Sequence, residues 1–414
     1  MAETFDERAY VRRLIETVVD ACPRRQATSD DERRAHRLVQ DEFRKLGLDS
    51  RLEAFRFNDN LYANLALHFG IGTAGSLVSG LSPFLGFVMH ALAGTSYFLD
   101  STRRSFVLRR LLPFKPSQNL IVTLPAERGP ELRLVFLAHI DAAFTGILFD
   151  PRSRLILVSS PERLPPGLRF LGRTLAVPTY SQFLLASIDL LGMCLGPLSL
   201  PLMPLTALLS VPGLLAFLMN LQIVVRNEVV PGANDNLSGV AGLALLARRL
   251  EPVKPESVEL VFVITGAEEA SLGGAQALVE EHRDSWDRER TVAIGLDGIA
   301  NGELRYFEEG EVWPAPVPAW IEEIIAGISA AEPRFSTVRR FLIPSGGTDV
   351  LPFLMKGYDG VSFGCVDPAF QSPRHYHQPS DTPENLDPDD VVHAVDFAER
   401  FAKAVIRHRT GSVL

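Results

Sequence analysis

The chain has 414 residues, a formal net charge of −9 and 22 % charged side chains, enough for one large α/β domain with insertions. No basic tract stands out, which excludes the electrostatic footprint of a nucleic-acid binder. Cys22, Cys194 and Cys365 lie far apart, so they make neither a disulfide framework nor a thiolate metal site, and a reducing compartment is expected.

The opening "MAETFDERAY" is polar and acidic, unlike a secretory signal. Helical periodicity covers 7–21 and 29–46, and the second run opens with "TSDDE", where Thr28 or Ser29 can cap and acids fill the first turn. "LGLDSRLEAFRF" reads as a turn and a strand. "NLIVTL" (119–124) and "LRLVFLAH" (132–139) are β-rich runs joined by the hairpin-like "PAERGPE". Residues 142–173 form an irregular, Pro-rich bridge. A helix over 237–250, a buried strand over 258–266, a helix in "GGAQALVEEHR", a strand over 291–297 and a helix over 317–330 follow. A short strand (360–364) and an amphipathic helix (388–408) close the chain. Strands alternating with helices predict an α/β fold with a mixed, mostly parallel sheet sandwiched by helices.

Two stretches interrupt this pattern and account for a mean hydropathy of +0.11. Residues 60–99 carry no Asp, Glu, Lys or Arg, and residues 174–225 carry only Asp189. Each is long enough for one or two crossings of a bilayer core, which takes about 20 apolar residues per helix. Both are broken by Gly and Pro, so each reads as a helical hairpin or re-entrant segment inside an insertion, 60–115 and 142–231. Arg103, Arg104, Arg109, Arg110 and Lys115 follow the first; Arg169 and Arg173 precede the second and Arg226 closes it. That flanking predicts a membrane-associated protein with the ends of both stretches, and the α/β domain they join, on the cytoplasmic side. The blander readings are a buried helical layer or the interface of a homo-oligomer.

In such sheets, sites gather beyond the carboxyl ends of strands. His139 and Asp141 end "LVFLAHID", Glu268 and Glu269 end "VFVITGAEE", and Asp297 ends "VAIGLD"; Asp235 in "PGANDNLSG" and His377 in "HYHQPSDTPENLD" lie in loops. Singly, each has a plain explanation: a helix cap for Asp235, solvated acids for Glu268 and Glu269, a turn for Asp297. Together they form an N/O donor inventory suited to Zn²⁺. Two divalent cations about 4 Å apart need one bridging carboxylate and two further ligands each. The inventory supplies these and leaves one acid over, able to take the proton of a water activated between the cations.

The order His-x-Asp, Asp, Glu-Glu, Asp, His, with the blocks "SQNLIVTLP", "LAHID", "GANDNLSGVA", "AEEASLGGAQA", "IGLDGIANGEL" and "YHQPSDTPENLD", resembles the M28 family of zinc metallopeptidases. The likeness runs over most of 1–414 outside the two insertions. It implies the zinc-exopeptidase fold, two Zn²⁺ per chain and hydrolysis of amide or peptide bonds, first of all as an aminopeptidase; the two apolar insertions beside the site add the alternative of an amidase or deacylase of lipophilic N-acyl amide substrates. By the resemblance, Asp235 bridges the metals, His139 and Asp297 complete one site, and Glu269 and His377 complete the other. Glu268 is the general base, Asp141 supports His139, and Tyr376 helps stabilise the oxyanion. Asp349 in "SGGTDVLPF" stands where the family often has Ser-Asp-His, but Val350 follows it. M20-type hydrolases share His-x-Asp and Glu-Glu signatures but insert a lid after Glu-Glu, for which there is no room here. A single-zinc glutaminyl cyclase has the same fold, and a metal-free scaffold would have lost ligands.

Overall fold

The computed structural model describes residues 5–150, 165, 169, 172–196, 201–344 and 346–412. Two helices lead, α1 (Glu7–Ala21) and α2 (Asp30–Lys45). The Ser29 hydroxyl accepts from the Glu32 amide at 3.0 Å, so the predicted cap forms and meets one of the helix's orphan donors. Strand β1 (Ser50–Phe57) precedes the first apolar hairpin, α3 (Leu61–Ser79) and α4 (Pro83–Ser101). Strands β2 (Lys115–Leu124) and β3 (Leu132–His139) come next, then the second hairpin, α5 (Ala176–Leu195) and α6 (Met203–Arg226). The rest alternates: α7 (Gly239–Leu250), β4 (Val258–Thr265), α8 (Gly273–His282), β5 (Thr291–Leu296), β6 (Glu303–Glu308), α9 (Ala319–Ala331), β7 (Arg340–Leu342), α10 (Leu351–Met355), β8 (Asp359–Val366) and α11 (Pro388–Thr410). Most of the bridge expected over 142–173 lies outside the described residues.

The eight strands form one sheet in the order β1-β2-β4-β3-β5-β8-β6-β7. Its centre, β4-β3-β5-β8, is parallel, and antiparallel pairings join β1 to β2, β2 to β4 and β6 to β8. The 119–124 and 132–139 runs are therefore not a hairpin: β4 lies between them, pairing antiparallel with β2 and parallel with β3. The reason is composition. Every residue of β3 is buried, and a strand apolar on both faces belongs in a sheet's covered centre. Leu14, Leu243, Leu246 and Phe397 pack on one face, and Leu278, Trp286 and Phe353 on the other. Phe136 stacks on Phe262 across the β3–β4 pair at 4.8 Å.

The two apolar hairpins pack on each other, α3 against α4 and α6, and α5 against α4 and α6. Their interior combines an apolar cluster around Leu65, Phe69 and Tyr97 with buried polar groups. His90 bonds Asp189 (2.7 Å) and Ser76 (3.0 Å), Ser210 donates to Ser76 (2.9 Å), and His68 bonds Ser96 (2.8 Å). The helices approach closely: a Cβ added at Gly72 would lie 2.2 Å from Gln182 Oε1. The exterior is apolar, with Leu77, Leu81, Phe84, Leu190, Leu208, Leu218 and Val225 exposed. One described helix, Met203–Arg226, is long and apolar enough to cross a membrane, and only 17 % of its apolar window is buried.

The basic flanks do not all behave as expected. Arg109 is fully buried and holds both oxygens of Asp100, at 2.7 and 2.9 Å. Buried Arg103 pairs with Glu311 and donates to the Ser271 carbonyl at 3.1 Å, and Arg173 is buried beside Glu308. A guanidinium inside the protein needs fixed acceptors; these three, Arg109 through the Ala270 carbonyl, pin the hairpins to the α/β body. Arg104, Arg110, Lys115 and Arg226 remain at the surface.

Candidate metal centre

β3 delivers His139 at its last residue and Asp141 just beyond. β4 ends at Thr265, and the turn after it, with Ala267 at φ 54°, carries Glu268 and Glu269. β5 ends one residue before Asp297. Because β3, β4 and β5 are parallel neighbours, their carboxyl ends coincide in space, and loops bring Asp235 and His377 to the same spot.

Asp235 lies at the centre. Its Oδ1 is 3.2 Å from His139 Nε2 and its Oδ2 is 3.3 Å from His377 Nε2. Asp297 Oδ1 is 3.8 Å from His139 Nε2, and Glu269 Oε1 is 3.3 Å from His377 Nε2. Three donor triads result among the described residues, His139–Asp235–Asp297, Asp235–Glu269–His377 and His139–Glu268–Glu269, each with ligand atoms within 4.8 Å of one another. The first two share the Asp235 carboxylate, whose oxygens face opposite histidines. Glu268 Oε2 is 3.8 Å from His139 Nε2, at the edge of this group.

Four carboxylates in so small a buried volume repel one another. Burial pushes Glu268 well above the ordinary carboxylate range, with the Glu269 charge adding to it, and burial also raises Glu269 and Asp297. Burial opposes ionisation of Asp235 as well, but hydrogen bonds with His139 and His377 outweigh it and hold that carboxyl low. Divalent cations relieve this crowding, and the donor set of imidazole and carboxylate suits zinc.

The surroundings orient the donors. His139 Nδ1 lies 3.1 Å from the Asp141 main-chain carbonyl. With Nδ1 protonated and donating there, Nε2 keeps its lone pair for a metal. The expected use of the Asp141 carboxylate differs: Oδ1 is 3.8 Å from His139 Nδ1, and the carboxylate instead accepts from the amides of Glu268 (3.0 Å) and Glu269 (2.9 Å). A turn of two acids leaves its N–H groups in need of an acceptor, and Asp141 is the nearest. Asp235 is not a helix cap. Its amide and that of Asn234 donate to Asp381, at 3.1 and 2.8 Å, which frees its side chain for the centre. Tyr376 stacks on His377 at 3.9 Å between ring centroids.

Three supporting residues had no legible signal. Tyr62, at the start of α3, places its hydroxyl 3.2 Å from His377 Nδ1, so a helix of the first insertion reaches the centre. Glu32 reads as one more acid in the first turn of α2, yet it is buried and accepts from the Ala267 amide at 2.7 Å, holding the turn that carries Glu268. Arg25 donates to the carbonyls of Ile140 (2.9 Å) and Gly232 (2.6 Å), tying the exit of β3 to the Asp235 loop. Asp349 accepts from the Thr265 hydroxyl at 2.5 Å beneath the site.

A cavity of about 400 Å³ opens from the centre. Glu268, Glu269, Asp297 and His377 form one end, and residues of α3, α5 and α6 form much of the remaining wall.

The family model of Peptidase family M28 matches residues 221–402. Asp235, Glu268, Glu269, Asp297 and His377 fall inside that region; His139 and Asp141 join them through the fold. The chain is 26 % identical to Aminopeptidase YwaD of Bacillus subtilis (strain 168) over 168 residues, which is 40 % of this chain and 36 % of that relative. The fold is similar to that of BSAP, a zinc aminopeptidase from Bacillus subtilis (TM-score 0.55, 16 % identity, 98 % and 96 % of the two chains). It is also similar to an aminopeptidase from Aneurinibacillus sp. strain AM-1 (0.54, 14 %, 97 % and 93 %) and to an Acidobacteriales bacterium glutaminyl cyclase (0.52, 13 %, 99 % and 98 %).

Proposed function

We propose, from the match of the Peptidase family M28 model to residues 221–402 and the donor geometry above, that the protein is a membrane-anchored zinc hydrolase of that family that cleaves amide or peptide bonds. The observation that carries this reading is Asp235, which divides its oxygens between two histidines and so gives two complete triads. A shared fold does not separate aminopeptidases from glutaminyl cyclases; two triads favour two metals over one.

His139 and Asp297 would hold one zinc, Glu269 and His377 the other, with Asp235 between them. The ions would polarise the scissile carbonyl and make water more acidic. Glu268 is the acid left over. Its buried position, with Oε2 3.8 Å from His139 Nε2 at the edge of the donor group, suits it to take a proton from the attacking water and pass it to the departing amine. Asp141 fixes the Glu268–Glu269 turn through its two amide bonds, and Tyr376, in the cavity wall beside His377, would assist at the developing oxyanion.

The hairpins support an anchor. An exterior of exposed Leu and Val over close small-residue contacts and buried, hydrogen-bonded polar groups matches helices packed in lipid. Helices of 19 to 24 residues span about 28–36 Å, close to the thickness of a bilayer core. The charged surface residues Arg104, Arg110, Lys115 and Arg226 all sit at the catalytic end, while the Gly80–Ser82 turn at the far end is uncharged. That asymmetry favours a catalytic body on the cytoplasmic side.

The test is hydrolysis of amino-acid p-nitroanilides by purified full-length protein, with and without a chelator. Chelator-sensitive release restored by zinc is expected; metal-independent release would refute the reading.

A further inference from the structure

The cavity's composition bears on what the enzyme cleaves, an inference that rests on the hydrolase reading above. Part of its wall is built from the insertion helices, with Leu65 of α3, Pro178 of α5, and Leu215 and Met219 of α6; the rest comes from the sheet end and its loops, where Phe341 and Ile343 are apolar and Thr348 and Gln371 polar. Leu215 also faces outward, 47 % exposed, so the wall is continuous with the bundle's apolar exterior. The nearest charge on that side, Glu311, is engaged by Arg103 and by the Tyr97 hydroxyl, which donates to it at 2.8 Å. Among the described residues, no uncommitted charge faces this part of the cavity. Asn220, 4 % exposed, lines it from α6 and donates from Nδ2 to the Ala216 carbonyl at 2.6 Å, so that its amide N–H is engaged by its own helix.

We propose that the cavity is an acyl-chain site, entered from the bilayer between the insertion helices, and that the substrate is a long-chain N-acyl amide whose carbonyl sits at the metal centre. Hydrolysis adds water across the C–N bond: hydroxyl goes to the acyl carbon, and a proton goes through Glu268 to the nitrogen. A fatty carboxylic acid and an amine leave, with no change of oxidation state. A largely apolar cavity that opens on the candidate ligands suits such a cleavage, and a wall shared with the bundle's exterior suits a lipophilic chain better than a water-soluble peptide.

Two measurements on the full-length, zinc-loaded protein in lipid nanodiscs test this. The first compares kcat/KM for acetyl, octanoyl and palmitoyl p-nitroanilides in wild type and in Ala216→Trp, which narrows the cavity from α6. Wild type is expected to prefer the long chains, and the substitution to lower the palmitoyl-to-acetyl ratio by about tenfold or more. The second needs no catalysis: a palmitoyl amide with a diazirine in its tail is photo-crosslinked and the labelled residues are mapped. Label on Leu65 and Met219, displaced by unlabelled palmitoyl amide, is expected. Label confined to lipid-facing residues such as Leu208 and Val225, with no dependence of hydrolysis on chain length, would overturn the acyl site and leave the hydrolase standing. Label inside the cavity with no hydrolysis of any anilide would uphold the acyl site and refute the hydrolase.

Discussion

Replacing Tyr62 by Phe isolates what the first insertion contributes to the metal centre. For His377 to present Nε2 to a metal beside Asp235 and Glu269, its proton must sit on Nδ1, and the Tyr62 oxygen, 3.2 Å away, is the acceptor. The substitution removes that acceptor and little else. Phe149 packs edge-on against the Tyr62 ring (6.0 Å) and at a tilt against His377 (4.5 Å), so the aromatic contacts survive. What is lost is the partner of a buried N–H, at a cost of about 1–3 kcal/mol. At roughly 1.4 kcal/mol per tenfold, metal affinity at the Glu269–His377 site should fall about ten- to a hundredfold, in line with other residues that orient metal-bound imidazoles. The His139–Asp297 site should keep its affinity, because His139 donates to the Asp141 carbonyl. A zinc titration against a competing chelator resolves the two steps. One weakened step is expected. Two unchanged steps, or two weakened equally, would refute the reasoning.

Glu268→Gln should retain bound metal and lose about 10²–10⁴-fold in kcat, checked by metal content and p-nitroanilide turnover on one preparation; unaltered turnover would remove Glu268 as the base. Arg103→Met leaves Glu311 buried without its cation and should destabilise the protein by about 3–5 kcal/mol, read from thermal unfolding in detergent. Glu309 gives a pH test. Burial pushes its carboxyl up to about 7 from 4.5, against the Thr348 bonds that lower it. The folded state therefore holds this proton more tightly, so the group's contribution is fully present below pH 4.5 and is lost as pH rises through 7. The loss amounts to about 3 kcal/mol. Glu309→Gln should flatten that decline in a series of unfolding curves, and an identical pH slope in both proteins would contradict it.

Much of the centre was legible because strand ends announce themselves. Apolar runs that stop at His139, Glu268 or Asp297 mark where a parallel sheet presents its carboxyl edge, and every proposed ligand was brought to that edge. The pairing order was less legible. β2 and β3 are close in sequence and joined by a short turn-like segment, but the slot beside β3 is filled by β4, a choice made by burial of whole strands and not by any local signal. The supporting residues were hidden for a related reason. Glu32 and Arg103 have the composition of surface residues, and only their tertiary partners, Ala267 and Glu311, show them to be interior. Asp141 was assigned to the right neighbourhood and the wrong bond, since spacing cannot distinguish a carboxylate from the carbonyl of the same residue.

The central claim is the bridged pair of metals, and metal content tests it most directly. Zinc measured by ICP-MS on wild type and on Asp235→Ala, each after zinc supplementation and removal of loosely held ions, should give two zincs per chain in the first and loss of most of both in the second, because Asp235 serves both histidines. A wild type that binds none or only one, or a variant that keeps both, would contradict the account.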